Sequence, residues 1–319
     1  MSARFLVEQF ATWRNQYESL VLVTVLDTAG STYSKTGRQL LINPDHDYAG
    51  LVGGGCLEGD LVLQADQVFG DARVRVVTYD MRDDADDLWG MGLGCRGMMK
   101  LMLQRLDAGN DWAPFSHIAA MMSRHTPTRM ALTVADHGKL SAGQLADPDA
   151  DQDSDLVCWT LRPWPRLLVL GAGPDAAPVI DIARTLGWHV SVADHRAELL
   201  SAPALVNADT RHLVHPETVD KDIDLNAADA VVVMSHHLQS DLHYLQALQT
   251  LSHTYVGVLG PAQRKQELLD QLKTDDSNFA ARLRGPVGLN IGADSPQTIA
   301  LALLSEIQSE LAQQPPRHD

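Results

Sequence analysis

The sequence predicts an α/β protein of two domains, a mixed α+β first half followed by a half built on a parallel sheet. Three observations predict it. From Arg166 onward, short β-branched runs alternate with amphipathic stretches of helical period, the pattern of strands joined by crossover helices. Gly171, Gly173 and Ala176 form a G-x-G-x-x-A turn directly after one of those strands, which makes the second half Rossmann-type. Between the halves lies DPDADQDSD (147–155), so polar and anionic that it reads as a linker. The domains are therefore expected at 1–146 and 164–319, with 147–163 as acidic linker and lead-in, a division that suits 319 residues.

The elements follow from periodicity and punctuation. Residues 4–19 predict a helix, and LVLVTVLDT (20–28) a strand ending at Ala29-Gly30-Ser31. QLLINPDHDYAGLVGG reads as two strands around Asn43-Pro44-Asp45. In CLEGDLVLQADQVF, Leu57, Leu61, Ala65 and Val68 share one helical face. Strands at 74–80 and 98–106 flank an acidic loop and the turn GMGLGCRG (90–97), and a helix at 115–125 and a strand at 130–134 close the first half. In the second half the strands are RLLVL (166–170), HVSVAD (189–194), AVVVM (230–234) and YVGVL (255–259). Helices are expected from Ala176, around 241–251, over 263–272, and from Ser295-Pro296 to Leu311. An apolar face on this last helix suggests a homodimer.

Charge and cysteine usage narrow the class. With 41 acidic and 25 basic residues the net charge is −16, a field that repels nucleic acid and anionic lipid. An anionic ligand would have to be held on backbone amides and helix N-termini. Three cysteines, Cys56, Cys95 and Cys158, are too few for a disulfide framework and point to a reducing cytoplasm. The first residues lack the pattern of a signal peptide, and no apolar run approaches the length of a membrane span.

Three constellations could carry chemistry. The first is the turn at Gly171 and Gly173 with Asp194 at the end of the next strand, where a ribose-binding carboxylate is expected; the structural alternative is tight strand–helix packing alone. Pro174 and Pro178 each remove an amide from the helix's first turns. The second is Gly53-Gly54-Gly55-Cys56-Leu57-Glu58, where glycines let amides face an anion and the helix start lowers the thiol pKa of Cys56, suiting a soft metal or a persulfide. A single free cysteine is more often simply packed, but Cys95 lies in a second glycine turn. The third is Ser235-His236-His237, at the sheet edge where α/β proteins bind ligands, with the alternative of a histidine that caps the next helix. Cys158 reads as core or strand packing. No C-x-x-C spacing supports a structural zinc.

Taken together, AGSTYSKTGRQLLI (29–42), GLVGGGCLEGDL (50–61), GLGCRG (92–97), LLVLGAGPDA (167–176), VADHR (192–196), VVVMSHHLQSDLHYLQAL (231–248), YVGVLGPAQRK (255–265) and LRGPVGLNIGADSPQTIALALLSEI (283–307) resemble the XdhC/CoxI family, accessory proteins of xanthine dehydrogenase. The resemblance implies a chaperone that binds molybdopterin-type molybdenum cofactor, protects it during sulfuration and delivers it to a molybdenum hydroxylase client, with a cysteine desulfurase as sulfur donor. By position it carries over Gly30, Ser31, Gly53, Gly54, Gly55, Cys56, Glu58, Gly94, Cys95, Gly171, Gly173, Asp194, His236, Asp241 and Gly260, with Cys56 and Cys95 as metal ligands. Three positions depart from the family's pattern: Arg96 and Lys35, which could add cations for the cofactor phosphate, and Pro261, which removes a donor. The competing class is an NAD(P)-binding oxidoreductase, which Gly171, Gly173 and Asp194 favour and the lack of a Tyr-x-x-x-Lys pair opposes. A third reading is an assembly platform between a client enzyme and a sulfur donor.

Overall fold

The computed structural model describes residues 2–82, 97–124, 126–135, 141–148, 155–272 and 277–314. The chain divides into two compact units, 1–163 and 164–319. In the first, helix α1 (Ala3–Trp13) precedes strands β1 (Ser19–Gly30), β2 (Gln39–Ile42) and β3 (Tyr48–Gly50). Helix α2 (Cys56–Asp71) is followed by β4 (Arg75–Asp80), β5 (Gly97–Asp107), α3 (Phe115–Met122), β6 (Thr128–Thr133), β7 (Leu145–Ala146) and β8 (Leu156–Leu161). One five-stranded sheet runs β3-β2-β1-β5-β4 with every neighbouring pair antiparallel, and a three-stranded sheet runs β7-β6-β8.

The apolar run of β1 reflects its central place. Leu57, Leu61, Ala65 and Val68 of α2 pack on Val21, Val23 and Val25, while Leu6 and Phe10 of α1 and Phe115 of α3 pack with Leu20 and Leu22 on the opposite face. A strand covered on both faces needs no polar alternation. A register shift between Val25 and Asp27 frees Leu26 to join Met102 and Leu132 in a small core against the three-stranded sheet. Three expectations change here. Residues 156–161, within the stretch expected as linker and lead-in, form β8, hydrogen-bonded along its length to β6. Cys158 is exposed, because β8 is an edge strand and its alternate side chains face water. The first helix stops at Trp13, short of the expected residue 19, since Ser19 already opens β1.

The second unit is a doubly wound parallel sheet. Its strands are β9 (Arg166–Leu170), β10 (His189–Asp194), β11 (Thr210–Leu213), β12 (Ala230–Val233), β13 (Tyr255–Val258) and β14 (Leu283–Arg284), ordered β11-β10-β9-β12-β13-β14 with every neighbouring pair parallel. The switch point falls between β9 and β12, where an open sheet of this kind binds ligands. Helices α4 (Ala176–Thr185) and α10 (Pro296–Ala312) cover one face; α7 (Leu238–Leu248), α8 (Ala262–Leu272) and α9 (Ser277–Arg282) cover the other, with short helices α5 (Ala197–Leu200) and α6 (Val219–Asp222) between strands. The apolar face of α10, from which self-association was expected, is spent inside: Ala300, Leu303, Leu304 and Ile307 are buried with α4 and the sheet.

Candidate cofactor-binding sites

In the first unit the antiparallel order sends the glycine-bearing loops out at one edge of the sheet. The C-terminal ends of β1, β3 and β4 and the N-terminal ends of β2 and β5 all lie there, through the pairings Gly30 with Gly97, Leu40 with Gly50, and Asp80 with Met98. Ser34 donates its hydroxyl to the Leu51 carbonyl at 3.4 Å, tying the loop after β1 to the segment after β3. Gly97 is held side by side with Ser31, whose carbonyl occupies the space a Cβ would need. The edge thus brings Gly30, Ser31 and Lys35 to the side from which 51–55 and the stem of β5 emerge. Gly94, Cys95 and Arg96 lie outside the described residues.

The turn at Gly53-Gly54-Gly55 is built differently from the expectation. Gly54 and Gly55 take φ of +80° and +107°, and Gly55 is the N-cap of α2, whose first residue is Cys56. Glu58, fully buried, turns back on this turn. Its Oε1 accepts from the Val52 and Gly53 amides, both at 2.7 Å, and its Oε2 from Gly55 at 2.6 Å. Two of the three glycine amides expected to cradle a ligand anion, those of Gly53 and Gly55, are therefore occupied by the chain's own carboxylate. The reason is proximity: an acid three residues past the N-cap is tethered beside those donors, as in a capping box. That spacing was visible in the sequence and was the signal missed. What the turn still offers is an open outer surface, for a Cβ built at Gly54 or Gly55 would meet nothing within 4 Å.

In the second unit, Gly171 (φ +120°) allows the turn after β9 to touch the end of β12, since a Cβ there would fall 2.6 Å from Met234 carbonyl and Ser235 Cα atoms. His236 also has positive φ, +60°; its ring lies over Gly173, and its Nε2 is 3.2 Å from Asp175 Oδ2. The helix cap belongs to its neighbour: His237 is the N-cap of α7, its Nδ1 accepting from the Ser240 amide. Asp194 does not present a free carboxylate. It is wholly buried, with Oδ2 accepting from the Ala172 amide at 2.7 Å and both oxygens gripped by Arg196 at 2.9 and 2.7 Å. Burial pushes its pKa up, but the Arg196 guanidinium and the Ala172 and Arg196 amides outweigh that and hold it below the ordinary value.

A second clamp lies beside it. Asp241 accepts from the Ser235 amide and hydroxyl through Oδ1 and from Arg264 through Oδ2 at 2.6 Å, joining the end of β12 to α8. Gly260 (φ +138°) makes room for the Arg264 stem. Tyr244 of α7 is buried close to both clamps, and burial together with the Asp194 and Asp241 charges pushes its phenol up. The sequence-predicted Gly171, Gly173, Asp194, His236, Asp241 and Gly260 do converge, but two arginines that sequence reasoning passed over, Arg196 and Arg264, neutralise the acids. For a dinucleotide this edge is poor. Pro174 and Pro178 supply no amides, Asp175 puts a carboxylate at the helix start, and Asp194 is closed to a ribose. Among the described residues no group of three or more His, Cys, Asp or Glu side chains is disposed to hold a metal, and no helix is long and apolar enough to cross a membrane.

Fold and sites define a two-domain protein in which a loop-edged antiparallel domain is followed by a Rossmann domain whose Asp194 and Asp241 are paired with arginines. The chain belongs to the XdhC and CoxI family: that family's model matches residues 13–80, and the XdhC Rossmann domain model matches 167–307. It is 31% identical, over 91% of its length and 92% of the relative's, to a probable xanthine dehydrogenase subunit of Bacillus subtilis. To the molybdenum cofactor insertion chaperone PaoD of Escherichia coli it is 24% identical over 96% of this chain and 86% of that one. The crystal structure of a xanthine dehydrogenase from Bacillus halodurans matches all of this chain and 98% of its own, with a TM-score of 0.82 and 25% identity.

Proposed function

We propose that this protein binds molybdenum cofactor as cargo and hands it to a molybdenum hydroxylase of the xanthine dehydrogenase type, acting as a chaperone without turnover. One observation of the structure supports the reading: the Ser34–Leu51 hydrogen bond ties the loop that carries Lys35 to the segment leading into the open turn at Gly54 and Gly55, after which Cys56 opens a helix. The open turn suits a bulky ligand, because no side chain crowds Gly54 or Gly55. The likeness to an insertion chaperone over nearly the full chain supports the same assignment.

In this reading the cargo brings the metal and its dithiolene sulfur, and the protein brings shelter, orientation and a soft sulfur ligand at Cys56, with Cys95 as its partner. Sulfuration of the cargo by a cysteine desulfurase would take place on this protein, in the cytoplasm. Co-purification from cells that make the cofactor, followed by molybdenum and pterin analysis, tests the proposal. Near-stoichiometric pterin is expected, and Cys56→Ala is expected to lower retained molybdenum at least fivefold with an unchanged melting temperature. A protein that carries no pterin but binds NADH and turns over a substrate would be an oxidoreductase instead.

A further inference from the structure

On a parallel sheet of this kind a pyridine dinucleotide makes three contacts. Its diphosphate lies against the second glycine of the first turn and takes the amides that open the next helix, and a ribose hydroxyl bonds the acid ending the second strand. The residues here fit none of the three. Gly173 is the second glycine, and although it has no side chain it is buried. One ring stands over it. Apart from its chain neighbours, the only atoms of the described residues within 4 Å of a Cβ built at Gly173 are His236 Cδ2 and Nε2, at 3.4 and 3.7 Å. His236 leaves β12 in the left-handed region, with φ +60°, and its Nε2 comes to rest 3.2 Å from Asp175 Oδ2. Such a backbone is uncommon for a residue with a side chain and persists where its surroundings hold it. At the second contact, Asp175 is the N-cap residue of α4 and sets a carboxylate where a phosphate would need amides; Pro174 and Pro178 on either side donate none. At the third, Asp194 has both oxygens on Arg196 and one of them also on the Ala172 amide.

From these we infer that His236 is an internal plug: its imidazole, held beside Asp175, fills the place that the diphosphate of a pyridine dinucleotide would take, and the Rossmann half is closed to NAD(H) and NADP(H). Two neighbouring histidines thereby divide their tasks. His237 caps α7 through its Nδ1, so no helix end depends on the His236 ring, which serves the turn after β9 instead. The His236 side chain keeps 53% of its surface exposed, so the ring is a cover on the glycine and not part of the core. Its removal uncovers the turn without leaving a cavity in packed surroundings. What stays of the glycine motif is its structural use, the close approach of the turn to the Met234–Ser235 backbone that Gly171 permits. The inference concerns the second unit alone and goes beyond the chaperone reading, which places the cargo on the first.

Titration of the full-length protein tests it, with NADH and NADPH followed by nicotinamide fluorescence and ADP-ribose followed by calorimetry. Wild type should show no saturable binding of any of the three up to about 1 mM. The double variant His236→Gly, Asp175→Ser removes ring and charge, tolerates the positive φ and keeps an uncharged cap on α4. It should gain at least about tenfold in affinity for ADP-ribose, half-saturating near or below about 0.1 mM. His236→Asn, with a shorter side chain that suits left-handed backbone, should gain about threefold and stands in if the double variant misfolds; circular dichroism melts confirm the fold of each. Saturable binding of NADH or NADPH by wild type within that range would overturn the inference. So would folded variants that bind ADP-ribose no better than wild type, since the plug would then not be what excludes the diphosphate. The chaperone proposal is read separately: pterin and molybdenum should co-purify undiminished with the double variant whichever way the nucleotide titrations fall.

Discussion

Individual residues in this protein answer the question of where the buried charges go. Asp194 sits at the position of a ribose-binding acid, yet Arg196, two residues on, closes it off. Removing the charge should destabilise the second unit: Asp194→Asn is expected to cost roughly 2 kcal/mol in urea denaturation, less than for a wholly buried pair because Arg196 keeps 33% of its side chain exposed. The pH dependence has a definite sign. A carboxyl held below its unfolded pKa of about 3.9 contributes stability above that value and loses it as pH falls through the lower folded pKa. Wild type should therefore lose stability in acid more steeply than Asp194→Asn, measured by melts between pH 5 and 2. Glu58 invites a parallel test. Glu58→Gln exchanges one acceptor oxygen for a donor beside three amides and should cost about 2 kcal/mol, read as a lowered melting temperature of the first unit.

Elements carry the next level of constraint. Helix α2 is held at its start by the Glu58 clamp and along its length by Leu57, Leu61, Ala65 and Val68, a face that the spacing in the sequence already displayed. Tyr79 of β4 hydrogen-bonds Asp60 of α2 at 2.5 Å, fastening helix to edge strand. Loss of that bond in Tyr79→Phe should cost about 1 kcal/mol. The turn after β9 is less tolerant. Gly171→Ala would force a Cβ against the Met234–Ser235 backbone just after β12, at 2.6 Å and in a positive-φ conformation, and a loss of about 3 kcal/mol, or failure to accumulate, is expected on expression. Strand β8 shows why a lead-in was expected: Leu156–Leu161 is a single short edge strand following an acidic run, and its pairing with β6 becomes apparent only once the three-stranded sheet is assembled.

At the scale of the whole molecule, two units with separate cores make a simple prediction. Residues 164–319 contain their own sheet, helices on both faces and both layers of core, so that segment expressed alone should fold cooperatively, seen as a single thermal transition by far-UV circular dichroism. The strongly negative net charge and the position of particular basic residues are likewise properties of different scales, one of composition and one of placement. The net charge repels nucleic-acid phosphates on average, and only placement collects Lys35, Arg38 and Arg162 around one opening.

Local and periodic features could be read along the chain: the alternation of strands and helices after Arg166, the apolar face of α2, the capping of α10 by Ser295 and Pro296, and the glycines where chains approach closely. These depend on neighbours a few residues away, so they are legible in one dimension. Tertiary structure alone decided which donors and acceptors were already taken. Glu58 fills the glycine turn, Arg196 and Arg264 silence two acids, α10 buries the face expected to be exposed, and β8 brings an indole and an arginine beside a loop more than a hundred residues earlier. The physical reason is that a polar group's availability is set by the partner nearest in space, and long-range pairings of strands and loops decide which partner that is.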